Sequence, residues 1–412
     1  MDWSFLIEGK DAICVSTDSR NLPAGCIFVA LKGDTFDGNT FALKALEQGA
    51  SMAIVDDAEV YNAIQAAGEY SALLVENSLL ALQDLARAWR RHLSTPIIGI
   101  TGTNGKTTTK ELLAAVLSTK FKTHYTQGNL NNSIGVPLTL LQLTKEHELA
   151  IVEMGASHPG DIKELVEVAE PNYGLITNVG KAHLQGFGSF EGVMRTKAEL
   201  YDYLREHGGF CFRNTDNPYL SEMAGDLKTV AYTTGTMPEG TQLVGAYNSE
   251  NIQAALCVGE YFGVSRERGM EAIRAYVPSN NRSQRTVTEK NTLIVDAYNA
   301  NPTSMQAAIN AFDSRKSKVE SQKPDCYILG AMRELGEYSH TEHQNIVNML
   351  LERKADTVLL VGDEYRETTA PYPIFTDVDA LCEHLKANPI TGCTVLIKGS
   401  RSNKLEKVLP LL

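Results

Sequence analysis

The sequence has no long apolar run, no excess of basic residues and no low-complexity tract. None of its apolar runs approaches the ~18 residues of a membrane-spanning helix, so we expect no membrane span. Its 50 acidic residues outnumber its 38 basic ones, and the formal charge of −12 argues against a nucleic-acid-binding protein. The start of the chain lacks a basic segment followed by an apolar one, which predicts no signal peptide and a cytoplasmic location.

Cysteine is sparse and has no paired spacing. The seven cysteines are scattered along the 412 residues, and none belongs to a C-x-x-C pair. This pattern favours reduced thiols over a disulfide framework or a zinc site. The 43% apolar and 21% charged composition is that of an ordinary globular protein, long enough for several domains.

Strand-like and helix-like segments alternate along the chain, which is typical of an α/β fold with mostly parallel sheets. An amphipathic helix is predicted over 78–93, with Ser78 as its N-cap. The pattern breaks after this helix at Thr95-Pro96, and again near residue 280. These breaks predict three domains: a small N-terminal α/β domain over residues 1–95, a central parallel-sheet domain over 96–280 and a C-terminal Rossmann-like domain over 281–412.

The strongest local signal is "GITGTNGKTTTKELL", residues 99–113. An apolar strand leads into a glycine-rich turn, and Lys106-Thr107 then opens a helix, which is the frame of a phosphate-binding loop. The usual pattern has a glycine six residues before the lysine, where this chain has Ile100, so the loop is not of the generic GTPase type. The alternative is a turn whose glycines serve tight packing only. We predict phosphate contacts from Gly102, Thr103, Asn104, Gly105, Lys106, Thr107 and Thr108.

Three further residues suit a phosphate site, but each also has an ordinary explanation. Glu153 ends the apolar strand "LAIVEM" beside the loop, where it could hold Mg²⁺ or simply be solvated. His183 lies in a loop after "YGLITNV", where a histidine usually makes ordinary hydrogen bonds. Lys197 lies on a predicted helix, and the sequence alone indicates an exposed side chain without a special role.

The stretch "GTNGKTT" resembles the ATP loop of the Mur ligases and of their relative folylpolyglutamate synthetase. Further stretches resemble the Mur ligases over essentially the whole chain. The sequences of these stretches are most similar to those of the family members that add D-alanyl-D-alanine to UDP-N-acetylmuramoyl-tripeptide. The most specific stretches are "GNLNNSIGVPLTLL" (128–141), "EMGASHPGDI" (153–162), "ITNVGKAHLQGFGS" (176–189) and "DAYNANPTSM" (296–305).

This resemblance implies an ATP-dependent peptide ligase of peptidoglycan precursor synthesis. The tripeptide carboxylate would attack the ATP γ-phosphate, and the dipeptide amine would then displace phosphate from the acyl phosphate. The implied cofactors are ATP and two Mg²⁺ ions, the expected partners are small molecules only, and a monomer is expected. Two alternatives stay open: a Mur-type or folylpolyglutamate-type ligase for another amino acid, and a non-catalytic nucleotide-binding regulator. The third tripeptide residue, diaminopimelate or lysine, stays open as well.

The same resemblance implies roles for individual residues. It gives catalytic roles to Lys106, His183 and Lys197. It gives magnesium ligation to Thr107, Glu153, His183 and, if carbamylated, Lys197. It gives further ATP contacts to Asn251, Arg282, Asp296 and Asn299. It gives substrate contacts to Ser19 and Arg20 at the uridine diphosphate end, to Asn129, Asn131 and Asn132 beside the muramoyl-peptide arm, and to Arg333, Lys398 and Arg401 at the incoming peptide.

Two features depart from the family pattern, and a third residue, Asn301, is explained by local structure alone. Asn281 stands where the family has a glycine before Arg282. The segment between "VAYTTG" (230–235) and "GAYN" (245–248) is only nine residues long, where the family carries a longer β-rich stretch. Asn301 can cap the helix that begins with Pro302, which needs no ligand to explain it.

Overall fold

The computed structural model describes residues 1–243, 245, 247–278, 284–313, 324–355 and 357–412. Within these ranges the chain forms an N-terminal, a central and a C-terminal unit, each built around its own sheet. Neighbouring strands of the three main sheets pair in parallel except at one edge, so the predicted α/β fold with mostly parallel sheets is confirmed. The domain boundaries given above stay predictions. No helix in the described ranges is long and apolar enough to cross a membrane.

The N-terminal unit is a small parallel sheet with helices packed on it. Its elements are α1 (Ser4–Ile7), β1 (Val15–Ser16), β2 (Ile27–Val29), β3 (Lys32–Gly33), β4 (Phe36–Asp37), α2 (Ala42–Glu47), β5 (Met52–Val55), α3 (Ala58–Ala67), β6 (Ala72–Leu74) and α4 (Ser78–Leu93). The sheet order is β1-β2-β5-β6, and β3 and β4 form a separate antiparallel pair. Helix α4 has the predicted bounds, but the prediction of Ser78 as its N-cap was wrong. Asn77 has the extended backbone of a cap and accepts from the Leu80 N–H at 2.9 Å.

The expectation of reduced thiols was wrong for one pair of cysteines. Cys14 and Cys26 are joined in a disulfide, because the strands that follow them pair in parallel with Val15 opposite Ile27. Strand register creates this proximity over a separation of 12 residues, and no local spacing signal announces it. The free cysteines of the described ranges are Cys211, Cys257, Cys326, Cys382 and Cys393.

The central unit is a larger parallel sheet with helices on both faces. Its elements are β7 (Ile97–Thr101), α5 (Lys106–Leu117), β8 (Thr123–Tyr125), α6 (Gly135–Leu141), β9 (Leu149–Glu153), α7 (Asp161–Ala169), β10 (Tyr173–Ile176), α8 (Leu184–Phe187), α9 (Phe190–Glu206), β11 (Phe210–Asn214), α10 (Pro218–Ala224), β12 (Thr229–Tyr232), α11 (Asn248–Tyr261) and α12 (Arg266–Ala275). The order β12-β11-β10-β7-β9-β8 places β7 between β10 and β9. Every residue of β7 is buried, as its apolar sequence predicts. The chain leaves β7 in one direction and returns on its other side, so the carboxyl end of β7 is a switch point where ligands of such sheets bind.

The C-terminal unit is a second mostly parallel sheet. Its elements are β13 (Gln284–Val287), β14 (Thr292–Asp296), α13 (Pro302–Asp313), β15 (Asp325–Gly330), α14 (Ser339–Glu352), β16 (Thr357–Val361), β17 (Ile374–Phe375), α15 (Val378–Ala387) and β18 (Thr394–Lys398). The order is β13-β14-β18-β15-β16-β17, with β13 antiparallel to β14. The last strand is therefore inserted beside the first parallel one, with Asp296 opposite Lys398.

The N-terminal and central units share one continuous apolar core. Helix α4 supplies the junction: the Trp89 indole N–H donates to the Leu143 carbonyl at 3.0 Å. Arg90, which is 8% exposed, donates to the carbonyl oxygens of Ala169 at 3.2 Å and Glu170 at 2.9 Å. A buried guanidinium satisfied by backbone carbonyls stabilises this junction without needing a ligand.

Candidate active site

A cavity of about 880 Å³ lies between the carboxyl ends of the central strands and the C-terminal unit. The central side contributes the loops after β7, β9 and β10, and the facing side contributes the ends of β14 and β18. Most of the predicted site residues meet here. Those that line the cavity are Thr103, Asn104, Gly105, Lys106, Thr107, Thr108, Asn129, Asn131, Asn132, Glu153, His183, Asn251, Asp296, Asn299 and Lys398.

The loop before α5 requires glycine at two positions. Gly102 has a φ of +139°, and an added Cβ would lie 2.0 Å from the Thr177 hydroxyl oxygen. Gly105 has a φ of +79°, and its Cβ would lie 2.6 Å from the Asn251 side-chain oxygen. The loop is also anchored from β10, since the Thr177 hydroxyl donates to the Asn104 carbonyl at 2.6 Å. These contacts fix a backbone path that only glycine can follow at both points.

The Lys106 side chain folds back over the glycine-rich loop. Its Nζ donates to the carbonyl oxygens of Gly102 at 2.8 Å and Thr103 at 3.2 Å. The N-cap of α5, Gly105, has no side chain to cap the helix, and residues 105–108 at the start of this helix line the cavity. Uncapped backbone N–H groups at a helix start, next to a lysine, are the elements of an anion site.

Glu153, at the end of β9, is 1% exposed. Its Oε1 accepts from the Thr107 hydroxyl at 3.2 Å and from the Asn131 amide at 2.8 Å. Its Oε2 has no hydrogen bond, but the Lys110 Nζ lies 3.6 Å away. The sequence reasoning missed Lys110, although a lysine three residues after Thr107 falls on the same helix face.

His183 and Lys197 belong to the central unit, where His183 precedes α8 and Lys197 lies on α9. The His183 backbone is left-handed, with a φ of 49°. The Nδ1 atom of the His183 ring contacts the Glu334 carboxylate of the C-terminal unit, but the angles are not those of a hydrogen bond. Burial lowers the pKa of His183, and the Glu334 charge opposes that shift. The expectation of an exposed Lys197 was wrong, because α9 turns that side chain inward and leaves it 2% exposed.

The Lys197 ammonium is buried beside an aromatic ring. Its Nζ lies 5.5 Å from the centroid of the Phe187 ring, and no residue of the described ranges pairs with it by a hydrogen bond or ion pair. Burial, followed by the nearby charge of Lys106, lowers the pKa of Lys197 well below its usual range.

On the C-terminal side, the strand register pairs two predicted residues with each other. Lys398, 2% exposed, donates to the Asp296 carboxylate at 2.6 Å and to the Asn299 carbonyl at 3.1 Å. Its charge is therefore neutralised inside the unit, which fits poorly with the predicted role of binding a substrate carboxylate. Asn301 does cap α13, because its Oδ1 accepts from the Ser304 N–H at 2.9 Å.

The two units also contact each other directly around the loop. The Asn301 amide donates to the Asn104 side-chain oxygen at 2.8 Å. Lys181, in the loop after β10, donates to Glu342 of α14 at 2.7 Å, and that carboxylate is only 3% exposed. The C-terminal unit thus covers the glycine-rich loop and is held to the central unit by polar contacts at several points.

The remaining predicted residues lie elsewhere or play local roles. Asn251 packs under the loop, where its Oδ1 accepts from the Thr109 hydroxyl at 3.0 Å. Arg333 pairs with Glu364, and the Arg401 guanidinium lies 5.2 Å from the centroid of the Tyr298 ring. Ser19 and Arg20 lie in a turn of the N-terminal unit, where Arg20 pairs with Asp18. Arg282 is outside the described residues.

Few groups on the described part of the cavity wall could hold a metal ion, and those that converge there are oxygen donors. Among the described residues, no three His, Cys, Asp or Glu side chains cluster closely enough to hold a metal ion by themselves. The oxygen donors that do converge are the hydroxyl of Thr107 and the carboxylate of Glu153, and the Asn131 amide N–H donates to that carboxylate. Hard oxygen donors of this kind suit Mg²⁺, which commonly keeps waters and substrate phosphates in its coordination shell.

Comparison with known proteins agrees with this arrangement along the whole chain. Three family models match in order: the Mur ligase family catalytic domain, the Mur ligase middle domain, and the Mur ligase glutamate ligase domain. They cover residues 13–90, 100–241 and 281–401, respectively.

Individual relatives match over nearly their full lengths. The UDP-N-acetylmuramoyl-tripeptide--D-alanyl-D-alanine ligases of Bacillus subtilis and Escherichia coli are 34% and 33% identical to this chain. The alignments cover 96% and 98% of this chain and 92% and 95% of those proteins. The structure of MurF ligase from Thermotoga maritima in complex with ADP matches with a TM-score of 0.84 at 28% identity, over 97% of each chain. A structure of MurF from Acinetobacter baumannii matches with a TM-score of 0.81 at 29% identity, over 96% of this chain and 92% of that one. The chain therefore belongs to the Mur ligase family.

Proposed function

We propose that this protein is an ATP-dependent ligase that joins D-alanyl-D-alanine to UDP-N-acetylmuramoyl-tripeptide. The observation that carries the proposal is a single cavity lined by the glycine-rich loop, Glu153 and the strand ends of the C-terminal unit. It offers space for a nucleotide and a peptide carboxylate side by side. The relatives named above, which match over nearly the whole chain, carry this activity in their names.

The loop over residues 102–108 binds the ATP phosphates. Its two glycines hold the backbone close to the start of α5, where N–H groups face the cavity. Lys106, which already spans the loop, can turn its ammonium toward the transferring phosphoryl group and stabilise the charge there. The bound ADP named for the Thermotoga relative supports this assignment. Asp296 and Asn299 face the same nucleotide from across the cavity.

Thr107 and Glu153 would hold one Mg²⁺. Their oxygen atoms already meet at 3.2 Å on the cavity wall, and the carboxylate is too buried to serve as an ordinary surface acid. A bound Mg²⁺ would supply charge neutralisation at the phosphates. His183 also lines this cavity and belongs to a second magnesium site in the proposal.

Lys197 is carbamylated in the active protein. Its buried amine makes no hydrogen bond or ion pair with an acidic side chain of the described ranges, and burial favours its neutral form, although the charges of Asp161 and Glu199 oppose that effect. A neutral amine adds to carbon dioxide through its nitrogen, loses one proton and becomes a carbamate with two carboxylate-like oxygens. That product would supply oxygen ligands to the second magnesium site.

Closure of the C-terminal unit excludes water from the reaction. The contacts of Asn301 and Lys181 bring that unit over the loop. The peptide carboxylate attacks the γ-phosphate, and the resulting acyl phosphate must meet the dipeptide amine before it meets water. Asn129 and Asn132 border the same cavity and are proposed to contact the muramoyl-peptide arm, while Asn131 orients Glu153.

The test is phosphate release from ATP with defined acceptors. UDP-N-acetylmuramoyl-tripeptides ending in diaminopimelate or lysine are each assayed with D-alanyl-D-alanine, with D-alanine, with glutamate and without any amine. Release that depends on D-alanyl-D-alanine supports the proposal, and the better tripeptide names the third residue. Equal release with glutamate or a single amino acid would assign a different ligase of the family.

A lysine pair provides the matched control for this assay. Lys106→Ala should abolish release, whereas Lys120→Ala, an exposed lysine bonded to the Phe262 carbonyl on the same unit, should retain it. Persistent ligation by Lys106→Ala would contradict the mechanism.

A further inference from the structure

Lys110 is one of the most buried charged residues of the chain. It lies on α5 one turn after Thr107, and its side chain is 1% exposed. Its Nζ is 3.6 Å from Glu153 Oε2, and the Glu153 side chain is 2% exposed. Lys110 does not line the cavity, so it contacts neither nucleotide nor peptide directly. Its position calls for a role that acts through Glu153.

The two carboxylate oxygens of Glu153 have different surroundings. Oε1 lies between the Thr107 hydroxyl and the Asn131 amide, both of which belong to cavity-lining residues. Oε2 points into the interior, where Lys110 is the cation that pairs with it among the described residues. The Lys110 ammonium is further enclosed by the Tyr125 ring, whose centroid is 5.9 Å away. A carboxylate held at both ends in this way has one orientation available.

Burial makes this pairing consequential. A carboxylate removed from water without a counter-charge costs several kcal/mol, and breaking a buried ion pair by removing one partner is strongly destabilising. Thr107 and Asn131 are neutral donors and leave the charge of Glu153 uncompensated. Lys110 supplies that compensation from the side opposite the cavity.

We propose that Lys110 is a positioning residue: it fixes Glu153 Oε2 in the interior and thereby presents Oε1 to the Mg²⁺ that accompanies the nucleotide. This inference rests on the proposed magnesium site at Thr107 and Glu153. It predicts that the charge of Lys110 favours metal binding through preorganisation, although simple repulsion between two cations would predict the reverse.

The first experiment measures the Mg²⁺ concentration that half-saturates binding of a fluorescent ADP analogue. Lys110→Met removes the charge at similar length and should raise that concentration by about tenfold or more, whereas Lys110→Arg should restore it to within about threefold of the native value. Arg90→Met is the matched control, because it removes another buried cation far from the cavity. It should lower the Tm and leave the Mg²⁺ dependence within about twofold. An unchanged or tighter Mg²⁺ dependence in Lys110→Met would overturn the proposal.

The second experiment is a double-mutant cycle on stability, which needs neither substrate nor metal. Lys110→Met should lower the Tm in the native background and should lower it much less in a Glu153→Gln background, where no carboxylate needs a partner. Equal losses in both backgrounds would show that the two side chains are not coupled and would refute the pairing.

The outcomes also separate this inference from the proposed function. A protein that binds the ADP analogue with the predicted Mg²⁺ dependence but does not ligate D-alanyl-D-alanine would contradict the proposed function and support the role of Lys110. A native protein whose nucleotide binding is independent of Mg²⁺ would overturn the role of Lys110.

Discussion

Protonation of His124 should destabilise the folded protein. This histidine lies on the edge strand β8, where its Nε2 donates to the Thr139 carbonyl at 3.0 Å and its ring centroid is 5.1 Å from that of His147. Burial, followed by the charge of His147, lowers the pKa of His124 from 6.5 to about 4. Because the folded state binds the proton less well than the unfolded chain, stability is complete above about pH 6.5 and is lost as the pH falls toward 4.

The size of the effect follows from the same pKa values. With 6.5 for the unfolded chain and about 4 for the folded one, linkage gives a loss of about 2 kcal/mol between about pH 7.5 and about pH 5. The full loss below pH 4 would be about 3 kcal/mol, a large part of the stability of an ordinary domain.

The assay is urea unfolding at the two pH values, followed by tryptophan fluorescence. Trp89 is a suitable reporter because its indole donates a hydrogen bond to Leu143 of the central unit, the unit that also contains His124. His124→Gln should lose about 2 kcal/mol less than the native protein over this pH interval, while His92→Gln, at an exposed position, should behave like the native protein. If His124→Gln were to lose as much stability in acid as the native chain, the assignment of this slope to His124 would be refuted.

Three further substitutions or conditions test other parts of the site. Gly102→Ala should abolish nucleotide binding, because its Cβ would overlap the Thr177 hydroxyl at 2.0 Å; calorimetric titration with ADP checks this, and native affinity would contradict it. Lys181→Ala leaves the buried Glu342 without its cation and should weaken closure, which would appear as a several-fold loss of kcat/KM and a larger radius of gyration in the presence of nucleotide. Bicarbonate should raise the activity of the native protein and not that of Lys197→Arg; an unmodified Lys197 amine in a high-resolution map, from crystals grown with bicarbonate and ATP, would disprove carbamylation.

The sequence predicted those parts of the fold that depend on local patterns. Helix α4 begins and ends at the predicted residues, and the glycine-rich loop follows a fully buried strand as its composition indicates. These features are encoded within a few residues, by apolar periodicity and by glycine. The N-cap of α4 was misplaced by one residue, since both Asn77 and Ser78 are good caps and only the backbone angles distinguish them.

The features that the sequence did not reveal depend on contacts between distant segments. The inward orientation of Lys197 is set by how α9 packs on the sheet, and a single lysine in an amphipathic helix does not report that rotation. The disulfide of Cys14 and Cys26 depends on strand register, and the pairing of Lys398 with Asp296 depends on the insertion of β18 beside β14. Lys110 could have been found, because it interrupts the apolar face of α5 on the side that carries Thr107.

Asn301 satisfies two requirements with the two ends of one amide. Its oxygen closes the first turn of α13, and its nitrogen binds the Asn104 side chain of the glycine-rich loop. Aspartate or serine could close the helix equally well, but neither could also donate to that oxygen in the same orientation. The helix therefore tolerates several residues at this position, whereas the hydrogen bond to the glycine-rich loop requires the amide. A substitution to aspartate would preserve the folded helix and remove this one hydrogen bond between the two halves of the site.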